Sequence, residues 1–182
     1  MNDPSESVER DAPVCIGWLL LLTEVPSKPD YLRVKLRRRV QRVGAVGLKG
    51  AVYVLPETPE ALEGFRRLRR EIVADGGEAT ICAATLIDGI SNGNLRALFN
   101  RDRDGEYDEF ISTCADLEQR WAGVQDGGDL SSLIAERDRL FARLEEVLGR
   151  DFFVAARRED AMQRMERLAV LDIVVAGGPA RH

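Results

Sequence analysis

The chain has 182 residues, of which 45% are apolar and 31% charged, and a net charge of −5. That length suits one domain of average size, or one domain with a helical appendage, and roughly 70% of the unfolded surface can be buried without a staple. The composition excludes a disordered chain, which combines low hydrophobicity with high net charge.

The only histidine, His182, is the last residue, so a mechanism that needs a histidine base or ligand is close to excluded. Cys15, Cys82 and Cys114 are far apart and form no CxxC, which argues for a reducing compartment rather than a disulfide framework. The longest apolar run, 14–22, is nine residues, whereas a membrane span needs about 20. Glu6, Glu9, Arg10 and Asp11 before it are not the basic lead of a signal peptide. The expectation is a cytoplasmic protein with no membrane partner.

In chain order, residues 1–13 are polar with Pro4 and Pro13 and read as a disordered lead. Residues 15–23 are apolar and followed by Pro26 and Pro29, which predicts a strand buried on both faces. Asp30 is placed to cap a helix over 30–43, with Leu32, Leu36, Val40 and Val43 as its apolar stripe and Gly44 as its stop. Two short strands, 45–47 and 51–55, then turn through Lys49-Gly50. Thr58-Pro59 opens a second helix to residue 75, with Leu62, Phe65, Leu68, Ile72 and Val73 on its buried side. Residues 78–87 read as a fourth strand, with Cys15 and Cys82 in neighbouring strands as core residues.

This β-α-β-β-α-β order predicts an α+β, ferredoxin-like unit with two helices on one face of an antiparallel sheet. The opposite face needs a cover, either the C-terminal helices or a second subunit. Beyond residue 105, Tyr107, Phe110, Cys114, Leu117, Trp121 and Val124 mark one helix, and Leu130, Leu133, Leu140, Leu144 and Val147 a second, after a break at Gly127-Gly128. These predict an antiparallel hairpin around Trp121 and Phe141, a seam without an independent core. A third helix is expected over 158–171. The division reads 1–13 lead, 14–90 ferredoxin-like domain, 91–172 helical extension packed on it, and 173–182 tail.

Charge is distributed unevenly. Between Lys28 and Lys49 stand eight cations, Lys28, Arg33, Lys35, Arg37, Arg38, Arg39, Arg42 and Lys49, against one anion, Asp30. That block carries +7 in a chain of net −5, which leaves −12 for the remainder. A solvated amphipathic helix is the ordinary explanation. However, such helices interleave Glu at i±4, as the second helix does with Glu60, Glu63 and Glu71 among Arg66, Arg67, Arg69 and Arg70. Six uncompensated cations repel one another, which favours an anion or nucleic-acid surface.

Other features are weaker. Asn100, Asp102, Asp104, Gly105 and Asp108 have calcium-loop spacing, but Ile111 replaces the bidentate Glu that closes the cage. The run therefore reads as an acidic loop before a helix, with no calcium dependence expected. Gly44, Gly47 and Gly50 follow a helix and precede a strand, the reverse of a phosphate loop. No metal ligand set, cofactor motif or catalytic constellation is assembled, so the expectation is a protein that is not an enzyme.

The segments Trp18–Leu22, Pro26-Ser27-Lys28, Tyr31–Lys35, Arg38-Arg39-Val40, Gly44-Ala45 and Val52–Pro56 occur in that order. Glu63, Phe65, Ile72, 76–79, Tyr107 and Asp151-Phe152-Phe153 continue the pattern. Together they resemble the N-terminal domain of ChrB-type chromate resistance proteins over most of 15–170. The resemblance implies a cytoplasmic regulator with a basic N-terminal segment proposed for DNA contact. Its ferredoxin-like part is similar to domains of phenylacetate-type repressors and CRISPR-associated endonucleases. The endonucleases place an Asp at the end of strand one; Thr23-Glu24 stands here, so nuclease activity does not carry over. Family members usually continue into a C-terminal resistance domain, so chromate sensing attributed to that half does not carry over either. The leading expectation is a DNA-binding homodimer. The alternative is an interaction or oxyanion-sensing module that holds chromate or works with a separate resistance domain. A stripe of cations would favour the first, and a convergent pocket the second.

Overall fold

The computed structural model describes residues 17–26, 31–123 and 130–176. The expected lead, Cys15, Lys28, the Asp30 cap and the glycine break at 127–128 lie outside the described residues. The elements are β1 (Trp18–Glu24), α1 (Tyr31–Arg42), β2 (Val46–Gly47), β3 (Val52–Pro56), α2 (Pro59–Ala74), β4 (Glu78–Ala84), α3 (Asn92–Ala122), α4 (Leu130–Leu148) and α5 (Arg158–Ala176). The four strands form one sheet in the order β2-β3-β1-β4, and every paired neighbour is antiparallel.

The helix ends follow from local chemistry. Thr58 caps α2, its hydroxyl accepting the Ala61 N–H at 3.1 Å, with proline at the first helical position. After α1 the chain turns through Gly44, at φ +75°, where an L side chain is strained. A Cβ there would lie 2.8 Å from Cβ of Arg150. Gly44→Ala is therefore expected to lose about 1–3 kcal/mol, read as a lowered urea midpoint with an unchanged m value.

Pairing register assigns the faces of the sheet. Leu19, Leu21 and Thr23 share a face with Leu55 and Tyr53 of β3 and with Ala83, Ile81 and Ala79 of β4. α1 and α2 cover this face with Leu36, Val40, Ala61, Phe65, Leu68 and Ile72. Trp18, Leu20 and Leu22 face the other way. That face is covered at its Trp18 end and on the β2–β3 side, where Val54 and Val46 are buried, by a core that includes Leu95 and Phe99 of α3 and Phe152 and Phe153. Leu22 stays 41% exposed and Cys82 is exposed. The expectations of a strand buried on both faces and of a core Cys82 are both corrected here, because α3 leaves the sheet after its first turns. The fourth strand is also shorter than 78–87.

The largest departure is α3. It begins at Asn92, where the Ser91 hydroxyl accepts the Asn94 N–H at 3.0 Å, and it runs unbroken through 100–105, where the sequence suggests an acidic loop. Leu95, Phe99, Arg103 and Tyr107 recur every four residues and all are buried. The arginine in that stripe disguised it. Arg103 is 6% exposed and pairs with Glu106 at 3.0 Å. The acidic residues of the calcium-like spacing serve intramolecular partners instead. Asp104 accepts the Arg157 backbone N–H at 2.8 Å, and Asp108 accepts Arg157 Nε at 2.6 Å.

α3 and α4 pack antiparallel, as ion pairs Arg120–Glu136, Glu109–Arg143 and Glu106–Arg150 show. Trp121 is buried, with the Arg137 guanidinium 5.9 Å from its ring and 5.8 Å from that of Phe141. α5 lies along α3, tied by Arg164–Glu118, and extends past the expected residue 171. Its presence turns the expected seam into a second hydrophobic cluster, with Tyr107, Cys114, Leu117, Leu144 and Leu168 at its centre. α3 thus belongs to both cores.

Candidate polyanion interface

α1 buries Leu32, Leu36 and Val40, and its charged residues divide into three groups around that stripe. On the flank facing α2, Lys35 Nζ meets Asp75 Oδ1 at 2.7 Å, Arg39 Nη1 meets Asp75 Oδ2 at 2.7 Å, and Arg39 Nε meets Glu71 Oε2 at 2.7 Å. These two cations are compensated, which corrects the expectation of six uncompensated ones. Glu71 and Asp75 sit at the end of α2 because Ile72 between them is buried and fixes that turn against the sheet.

Arg33 and Arg37 occupy the opposite flank, and Arg38 and Arg42 the crest, with exposed Tyr31 and Val34. All four arginines are exposed, and among the described residues no carboxylate pairs with any of them. At 100° per residue they cover about half the circumference. Each i,i+4 pair, Arg33–Arg37 and Arg38–Arg42, costs roughly 0.2–0.5 kcal/mol of repulsion. Burying one Leu side chain contributes about 1.5–3 kcal/mol, so the helix forms despite that cost. Arg37 also lies near enough to Tyr53 to oppose the rise that burial imposes on its phenol pKa. Lys49 is exposed at the β2–β3 turn, and Lys28 lies outside the described residues.

Two further exposed cations on α2 are hidden in the sequence, and one of them, Arg67, borders the cleft beside Arg42. On α2, Arg70 is spent on Glu63 at 3.2 Å and Arg69 on the Ala79 carbonyl at 3.0 Å. Arg66 and Arg67 are exposed with no carboxylate partner among the described residues. Glu71, which balances them in one dimension, is taken by Arg39. α1 approaches α2 closely where Gly64 faces Val43; a Cβ on that glycine would stand 3.7 Å from Val43. The cations form a surface across two helices rather than a convergent site. The cleft of about 680 Å³ between α1, α2 and the end of α4 holds Arg42, Arg67 and Arg150, but also Glu60, Glu63 and Glu146.

The Lys35–Asp75–Arg39 cluster sets a pH dependence. Hydrogen bonding from Lys35, then Arg39, holds the Asp75 carboxyl below its ordinary value of 3.8. A folded-state pKa that is depressed contributes stability above the unfolded value and loses it as pH falls through the folded one. Asp75→Asn is therefore expected to be less stable than wild type at neutral pH, with the difference closing in acid below the ordinary carboxylate range. Urea titrations of both proteins across that range check it.

Among the described residues no group of three or more His, Cys, Asp or Glu side chains could hold a metal, and no helix is long and apolar enough to cross a membrane. The architecture defines an α+β protein whose exposed helical layer is basic. The family described as Protein ChrB, N-terminal, matches residues 33–171, and the chain belongs to that family. It is 26% identical over 165 residues to Protein ChrB of Cupriavidus metallidurans, a match that covers 89% of this chain and 48% of that protein. The chain thus spans about half the length of the curated relative it matches. No solved structure matches it.

Proposed function

We propose that this chain is a regulatory, nucleic-acid-binding module of bacterial chromate resistance, built on a ferredoxin-like βαββαβ unit and working in the cytoplasm without catalysing a reaction. Family membership supports the chromate link. The strand order β2-β3-β1-β4 with a helix after β1 and after β3 supports the ferredoxin-like reading. A C-terminal-type resistance domain is the partner through which DNA occupancy would respond to chromate.

The observation that carries the nucleic-acid reading is the spread of Arg33, Arg37, Arg38 and Arg42 over the exposed half of α1. A tetrahedral oxyanion needs two or three converging cations, whereas the cleft beside α1 is lined by as many glutamates as arginines. An elongated polyanion needs a stripe. Anisotropy titrations of labelled duplex DNA test this. With about four phosphate contacts, log affinity falls at roughly −0.9 per contact, a hundredfold loss between 50 and 200 mM salt. Absence of duplex binding at low salt, with chromate retained in equilibrium dialysis, would overturn it in favour of an oxyanion-sensing module.

A further inference from the structure

The sheet has two unlike edges. β2, at one end, is two residues long, and β4, at the other, is seven. The Thr23 N–H is given to Ala51 on the β3 side of β1, so Trp18, Leu20, Leu22 and Glu24 bond towards β4. Their register partners in β4 are Ala84, Cys82, Thr80 and Glu78. Ala79, Ile81 and Ala83 consequently direct their N–H and C=O groups outward, away from the sheet. The bond from Arg69 Nε to the Ala79 carbonyl at 3.0 Å reaches that outer side. It uses one lone pair of one carbonyl, and among the described residues no other bond is made to that row.

Natural edges are blunted by charge, proline, bulges or shortness. Between Ala79 and Ala84 there is neither a charged residue nor a proline, and Thr80, Cys82 and Ala83 are exposed. We propose that β4 is the surface through which two copies of this chain associate, antiparallel about Ile81, into one continuous sheet.

The segment is complementary to itself in that register. Ile81 exchanges both backbone bonds with the partner's Ile81, and Ala79 with the partner's Ala83. Thr80 stands opposite the partner's Cys82. Glu78 falls opposite the partner's Ala84, so no like charges meet. Because a residue faces its own copy at the axis, both helical layers lie on the same side of the joined sheet. α2, which packs over β4, then flanks the axis on each copy, and the two α1 helices lie outside it on the same side. The arrangement does not depend on the nucleic-acid reading and is tested without DNA.

Light scattering of the full chain at micromolar concentration is expected to give twice the 20.3 kDa chain mass, falling towards one on dilution. Ala83→Pro deletes an outward N–H without removing a β1–β4 bond. This variant is expected to be a monomer with unchanged far-ultraviolet circular dichroism. Thr80→Cys, in a background carrying Cys15→Ser, places a thiol opposite the partner's Cys82 in a non-hydrogen-bonded pair, the close type of cross-strand pair. It is expected to give a covalent dimer that dithiothreitol reverses, where the background alone gives none. A wild-type monomer at every concentration overturns the proposal, and so does a dimer that survives Ala83→Pro. If Ala83→Pro fails to fold, absence of the Thr80→Cys cross-link overturns it instead.

Discussion

Replacing Trp18 with alanine is expected to lower global stability by about 3–5 kcal/mol. The indole is completely buried and joins three separate pieces of chain. It stacks on Phe99 of α3 with centroids 5.9 Å apart and planes at 15°, and it meets Phe153 at 5.9 Å. Its Nε1 donates to Asn92 Oδ1 at 2.8 Å, which fixes where α3 starts. Aromatic contacts add roughly 0.5–1.5 kcal/mol per pair beyond area. Against a typical total of about 5–15 kcal/mol, the loss is a third or more. Asn92→Ala separates the components, since it removes the acceptor and leaves the ring, for about 1–3 kcal/mol. Because α3 spans both hydrophobic clusters, Trp18→Ala should also loosen the second one, seen as broadened unfolding of the Trp121 fluorescence. A urea midpoint unchanged by Trp18→Ala would mean that α3 does not hold this face of the sheet.

How far the sequence led depended on whether an interaction was local. The α2 cap at Thr58 and the buried residues Leu32, Leu36, Val40, Phe65, Leu68 and Ile72 are set by neighbours three or four residues apart and stand as expected. Val73, expected on the buried side of α2, is instead 50% exposed, and Val43 and Leu62 are half-buried. Arg103 defeated the same reasoning. Its position continues the Leu95-Phe99 stripe, but a charge there signals a loop unless Glu106 and burial beside α1's end are known. Its guanidinium pKa is drawn down by burial, with Glu106 opposing the shift, as befits a cation inside a core. Arg39 and Lys35 were legible as cations but not as paired ones. Their partners, Glu71 and Asp75, are separated from them by β2, β3 and most of α2. Arg66 and Arg67 were missed for the mirror-image reason, since one-dimensional spacing credits them with Glu71, which folding gives to α1. Cys82 reads as a core residue because small apolar strands usually are buried, and only the departure of α3 from the sheet exposes it.

Reversing Arg38 and Arg42 to glutamate is expected to abolish duplex DNA binding while leaving the fold intact. Both side chains are exposed, neither touches the stripe of Leu32, Leu36 and Val40, and no carboxylate among the described residues depends on them. Surface substitutions of that kind usually stay within about 0.5 kcal/mol of wild type. Two of four phosphate contacts would become repulsive, so the salt slope should collapse rather than shift in proportion. Reversing Arg69 and Arg70 should do far less, because one is committed to the Ala79 carbonyl and the other to Glu63. Reversing Arg67 should fall between the two, since it borders Arg42 across the α1–α2 cleft without lying on α1. Arg39→Glu is the informative control for structure. It sets a third carboxylate beside Glu71 and Asp75, so its damage should register in the melt first and in binding only as a consequence. Equal losses from the Arg38/Arg42 and Arg69/Arg70 pairs would mean that total charge governs association. The graded order, with α1 dominant, is what a phosphate-reading surface centred on this helix requires.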